Sequence, residues 1–95
     1  MKWTVVFTQK AAKQAKKLPM RIVEALNALR RNIEETGPLQ TGRPHFGKLK
    51  NWPREAYHCH LNKGRPTYVV VWEIENKSIR VVEVTYAGTH ENAPY

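Results

Sequence analysis

Apolar residues recur along this chain with two periods, and the change from one to the other divides it. Trp3, Val5 and Phe7 alternate with Thr4, Val6 and Thr8, so residues 3–8 read as a strand. From Gln9 the period lengthens. Ala11, Ala12, Ala15 and Leu18 share one helical face, with Lys10, Lys13, Lys16 and Lys17 around the rest. Pro19 interrupts this first helix, residues 9–18, and suits the first turn of a second. Over Met20–Thr36, Ile22, Leu26, Leu29 and Ile33 form a continuous stripe, and Gly37-Pro38 stops it. The pattern predicts two antiparallel helices joined at a proline turn.

Residues 39–55 sustain no period and are punctuated by Gly42, Pro44, Gly47 and Pro53, which predicts a long basic loop pinned to the core by Phe46, Leu49 and Trp52. Alternation then returns. Strands are predicted over 56–62, 67–75 and 79–87, with turns at Lys63-Gly64-Arg65-Pro66 and Asn76-Lys77-Ser78. The run Tyr68-Val69-Val70-Val71-Trp72 suits a strand buried on both faces, hence central. The order β-α-α-β-β-β predicts an α+β fold, its helices packed on a mainly antiparallel twisted sheet, in a single domain over residues 1–95.

Ninety-five residues support one modest core, and 41% hydrophobic content with three Trp argues for a folded globule. Charge changes the picture more. The net charge is +8 and the pI about 9.9, which favours a polyanionic partner, either nucleic acid or an acidic protein. The excess is most concentrated over residues 39–66, where Arg43, Lys48, Lys50, Arg54, Lys63 and Arg65 face Glu55 alone. A single Cys59 excludes an internal disulfide and a cysteine-rich zinc site. No apolar run reaches membrane-spanning or signal-peptide length, which predicts a cytoplasmic protein.

All four histidines, His45, His58, His60 and His90, lie from residue 45 onward, three of them inside this basic stretch. Imidazole exchanges protons near neutral pH, and Lys and Arg hold phosphate. Together they point to phosphodiester chemistry on a nucleic acid. Two residues apart on a strand, His58 and His60 share a face, while Tyr57, Cys59 and Leu61 take the other. That face can be solvated surface, half of a metal site lacking a third ligand, or a place for proton transfer and phosphate contact. Arg65, in the turn after the histidine strand, is the best placed single phosphate clamp, and half or more of the neighbouring cations serve solubility and steering. The Lys10–Lys17 run reads first as a solvated helix face. Trp3, Tyr68, Trp72 and Tyr86 read as core, whereas Trp52 and Tyr95 lie in loop and tail and are candidates for stacking a base.

The element order, the Leu18-Pro19 break and the Val-rich central strand resemble the RelE/ParE superfamily of bacterial type II toxins. Asn51-Trp52 before Tyr57-His58-Cys59-His60, and Gly88-Thr89-His90 leading to the aromatic Tyr95, are similar to the YafQ-like branch of RelE mRNA interferases. The resemblance implies a metal-independent endoribonuclease without cofactor that cuts mRNA in the ribosomal A site and inhibits translation. The message's 2′-OH would attack with histidine acid–base catalysis. His60 and His90 correspond to catalytic histidines and Tyr95 to the aromatic lining the site, with Arg65 on the phosphate. RNA contacts would come from Lys48, Lys50, Arg54, His58, His45 and Trp52, and His45 or Lys48 stands where the branch has a third catalytic histidine. The implied partner is a cognate acidic antitoxin, with oligomers formed only through that complex. The alternatives are a non-catalytic ParE-like binder of DNA gyrase and a basic nucleic-acid-binding module, neither of which gives a reason for His60, His90 and Tyr95.

Overall fold

The apolar stripe of the second predicted helix is the floor of the core: Ile22, Leu26, Leu29 and Ile33 are each at most 3% exposed. In the computed structural model, which describes residues 2–95, the elements follow in the order β1 (Thr4–Phe7), α1 (Gln9–Lys16), α2 (Met20–Thr36), β2 (Gly47–Lys48), β3 (Ala56–His60), β4 (Tyr68–Asn76) and β5 (Val81–Thr89). A 3₁₀ turn, His90–Asn92, closes the series. Residue 1 of the expected 1–95 domain lies outside the described residues. The five strands form one sheet in the order β1-β5-β4-β3-β2, with β1 parallel to β5 and the other neighbours antiparallel. This is the expected α+β arrangement of two helices on a mainly antiparallel sheet, and β4 is central as predicted.

Local chemistry sets the helix ends. The Thr8 hydroxyl accepts the Ala11 N–H at 3.0 Å and starts α1. α1 closes two residues before the expected position, because the Lys17 and Leu18 amides tighten onto Gln14 and Ala15 ahead of Pro19. α2 ends at Gly37, whose φ of +95° belongs to the left-handed region and whose N–H returns to Ile33. The Trp3 indole lies 3.1 Å from where a Cβ on Gly37 would stand, so a side chain there meets both strain and a ring.

The sheet has two apolar faces. Toward the helices, Tyr57, Cys59, Val70, Trp72, Ile74, Val82, Val84 and Ala87 pack with Ala11, Leu26, Leu29 and Ile33. On the opposite, open face, Ala56, Val69, Val71 and Tyr86 are covered by Leu49, with Trp52 and Ala93 against them. The Trp72 indole donates to the Pro38 carbonyl at 3.0 Å, which satisfies its buried N–H and pins the chain leaving α2. Between β4 and β5 the register slips: Trp72 pairs with Val84 but Val71 with Tyr86, so Thr85 is an extra residue. The bulge inverts the alternation of β5 beyond it. Tyr86 turns to the open face and Ala87 to the helices.

Other boundaries also depart from the expectations. Gly47–Lys48, inside the expected loop, pairs with His58 and Tyr57 as an edge strand, and two residues are too few to display a period. β3 stops at His60 because the Asn62 side chain takes the Tyr68 N–H and begins the turn. β5 runs from 81 to 89 because Asn76 captures the Ile79 N–H, Arg80 takes a positive φ of 55°, and pairing with Tyr68 carries the strand to Thr89. Leu29→Ala is expected to cost about 2–5 kcal/mol, since it empties a site buried on every side; the shift of the denaturant midpoint measures it.

Candidate active site

β3 turns His58 and His60 to the open face because Tyr57 and Cys59 are taken by the helix-side core. On that face His60 pairs across to Val69, and Val69 to Gly88, so the end of β5 lies two strands from His60. His90 follows immediately, held by its N–H to the Thr67 carbonyl at 2.8 Å. The Tyr86 hydroxyl braces the same corner by donating to the Thr89 carbonyl at 2.7 Å, and a Cβ on Gly88 would stand 2.8 Å from that oxygen. The 3₁₀ turn returns the Ala93 N–H to His90, and Ala93 packs on the open-face core.

This path brings five rings together. His60 and His90 lie edge to face with centroids 5.4 Å apart. Tyr95 tilts over His58 at 4.4 Å and meets His90 edge-on at 6.2 Å. His45 stacks on His60 at 4.0 Å, its backbone in the left-handed region with φ +55°. The His60 N–H reaches the Pro44 carbonyl at 2.9 Å and fastens that loop to the end of β3.

Burial, followed by the facing His90 and His45, holds His58 below the usual imidazole range. His60 is lowered by burial first, then by His45, His90 and His58. Both are therefore neutral at pH 7, able to accept a proton. The His58 Nδ1 is buried without a hydrogen-bond partner among the described residues, and its Nε2 lies 2.8 Å from where a Cβ on Gly47 would stand, so glycine leaves this ring its room. Burial raises the Tyr95 phenol, which stays a hydrogen-bond donor. Among the described residues no three His, Cys, Asp or Glu side chains are arranged to hold a metal ion.

The candidate cations divide. Lys63 lines a cavity of about 280 Å³ with Pro44, His45, His60, Asn62 and Thr67. Arg65, in the same turn, is exposed and does not line that cavity. Lys48 and Lys50 are exposed and border a separate hollow with Trp52 and Arg54. Arg54 is committed within the chain: its Nε donates to Glu73 at 2.8 Å and its Nη2 to Glu83 at 2.6 Å, and the Glu83 bond chiefly raises its pKa. The Trp52 indole donates to the same Glu73 at 3.0 Å. Sequence reasoning missed this network, although Glu73 and Glu83 break the apolar alternation of two neighbouring strands. It also passed over Asn62, Thr67 and Gly47, which carry no local signal.

No family profile matches this sequence, and no curated protein does. Solved structures match its shape. RelE from the archaeal RelE–RelB complex of Pyrococcus horikoshii aligns over 98% of this chain and 100% of its own, with a TM-score of 0.77 at 18% identity. The isolated Escherichia coli RelE toxin aligns over 97% and 88%, with a TM-score of 0.70 at 22% identity. YoeB from the Staphylococcus aureus dimer aligns over 95% and 99%, with a TM-score of 0.72 at 19% identity. The chain has the fold of the RelE and YoeB toxins. The likeness is one of fold, and the YafQ-like pattern rests on this chain's own residues.

Because His58 and His60 resist protonation when folded, the unfolded chain binds more protons at mildly acid pH. Their contribution is complete above the unfolded value of about 6.5 and is lost as pH falls through the folded values. The melting temperature is expected to drop from pH 7.5 to pH 5.5, above the carboxylate range, and to drop less in His58→Leu. A melting temperature flat over that interval would contradict the assignment.

Proposed function

We propose that this chain is the toxin of a type II toxin–antitoxin pair and that it cuts ribosome-bound mRNA by metal-independent acid–base catalysis. The observation that carries the reading is the meeting of His60, His90 and Tyr95 at one rim of a RelE fold. Attack by a 2′-OH on the adjacent phosphorus needs a base for the hydroxyl proton and an acid for the departing 5′-oxygen. His60, neutral at pH 7, takes the proton as the new O–P bond forms. His90 gives its proton to the 5′-oxygen as the old O–P bond breaks. The products are a 2′,3′-cyclic phosphate and a 5′-OH, and no oxidant or water enters the step. Tyr95, protonated, donates to a non-bridging oxygen while its ring covers His58. Lys63 adds positive charge beside His60, and Arg65, Lys48 and Lys50 supply the steering field.

The partner follows from the charge. The expected partner is an acidic antitoxin drawn to the basic rim; RelE neighbours come from complexes with RelB. Ribosome-bound substrate places the chain in the cytoplasm, and among the described residues no helix is long and apolar enough to cross a membrane.

In a translating extract the protein is expected to cut mRNA to products ending in a cyclic phosphate. His60→Ala and His90→Ala should each slow cutting by roughly 10²–10⁴-fold. His60→Ala should also remove the acid limb of the rate profile, which lies below about pH 6.5. Full toxicity of His90→Ala, or gyrase–DNA complexes trapped by the wild-type protein, would overturn the reading. Antitoxin association is expected to slow as salt rises, with dissociation little changed; stopped-flow mixing at two ionic strengths measures both.

A further inference from the structure

We infer that the cavity beside His60 is a subsite for one nucleobase of a single-stranded RNA, with Lys63 on the adjoining phosphate and the Asn62 and Thr67 side chains reading the base edge. The inference rests on the reading of the chain as an RNA-cutting protein and adds where its sequence preference arises. The cavity shares His45 and His60 with the ring cluster, but His58, His90 and Tyr95 do not line it. It therefore adjoins His60 and His45 without contact from His58, His90 or Tyr95. At about 280 Å³ it is smaller than the roughly 300–1,000 Å³ of drug-sized sites, the scale of a single heterocycle. His45 and His60, stacked on each other at 4.0 Å, supply its aromatic lining.

Its polar groups are held in place by bonds that leave part of each group free. The Asn62 Oδ1 accepts the Tyr68 N–H at 2.8 Å, and its Nδ2 donates one hydrogen to the Pro66 carbonyl at 3.2 Å, leaving the other. The Thr67 hydroxyl donates to Gly64 at 2.8 Å and keeps its lone pairs. One donor and one acceptor thus remain on a braced turn, suited to the hydrogen-bonding edge of a base. Lys63 is exposed and makes no ion pair among the described residues.

Phosphate contacts position a strand and base contacts specify it, so the two kinds of residue separate experimentally. The probes are four 2′-deoxy trinucleotides differing only in the central base, which cannot be cleaved, followed by amide NMR. In the wild-type protein, shifts at residues 44–45 and 60–67 should favour one base on the order of tenfold. Thr67→Val should abolish the preference, and Thr67→Ser, which keeps the hydroxyl, should restore it. Lys63→Ala should weaken all four alike and lower the salt slope by about 0.7, whereas Lys2→Ala, on the opposite edge of the sheet, should do neither. Absence of shifts at millimolar probe overturns the inference. So do shifts confined to the helix-side hollow of Lys10, Gln14 and Tyr68, or uniform weakening by Thr67→Val. If these probes bind the cavity while the protein cuts no mRNA in extract, the catalytic reading falls and the subsite stands.

Discussion

The extra residue in β5 is the constraint on which the arrangement of the rim depends. Before Thr85 the strand sends Val82 and Val84 to the helices, and beyond it the parity is reversed. Tyr86 arrives on the open face, where its hydroxyl holds Thr89, and Gly88 arrives where a side chain would collide with that hydroxyl. Without the inserted residue, Tyr86 would be driven into the helix-side core and the corner that carries His90 would lose its brace. A one-residue shift in a strand exchanges every side chain between faces, and here a single bulge does so over only the last segment of a nine-residue strand. The Val-rich body of the sheet keeps its packing while the rim is re-aimed.

The same face carries an electrostatic constraint at its other end. Glu73 and Glu83 stand directly opposite each other on β4 and β5, a pairing that repels when both are ionised. Arg54 bridges them with two nitrogens, and Trp52 takes the remaining oxygen of Glu73. The cation thereby anchors the segment between β2 and β3 across the sheet, and the Leu49 it carries seals Ala56, Val69 and Val71 from water. A residue that reads in sequence as one more nucleic-acid contact also serves, in the fold, as the clasp of a second small core.

How much of this was legible follows from what each feature depends on. The α2 stripe, the Gly37 stop and the central position of β4 arise from local periodicity and backbone chemistry, and they are found where the pattern put them. The shared face of His58 and His60 follows equally from a period of two. The bulge at Thr85 was hidden because apolar residues occupy both faces of β5 near it, so Val84, Tyr86 and Ala87 show no break in hydrophobicity. The stacking of His45 on His60 was hidden for another reason: it depends on a left-handed residue in a loop whose course is fixed by one backbone bond from β3. Lys63 and Arg65 are equally basic and two residues apart, and only the braced turn decides that the first, not the second, borders His60.

The segment from His90 to Tyr95 adds no strand to the sheet and supplies none of its fully buried side chains. It is held by the His90 amide, the Tyr86 brace on Thr89 and the contact of Ala93. Two of the five clustered rings nevertheless ride on it. The His90 and Tyr95 side of the ring cluster and the packing of the core therefore rest on different parts of the molecule, and whatever peels this short segment away takes two rings from the rim while leaving the sheet and helices packed. Restoring a handful of contacts would rebuild the cluster without any need to refold the chain.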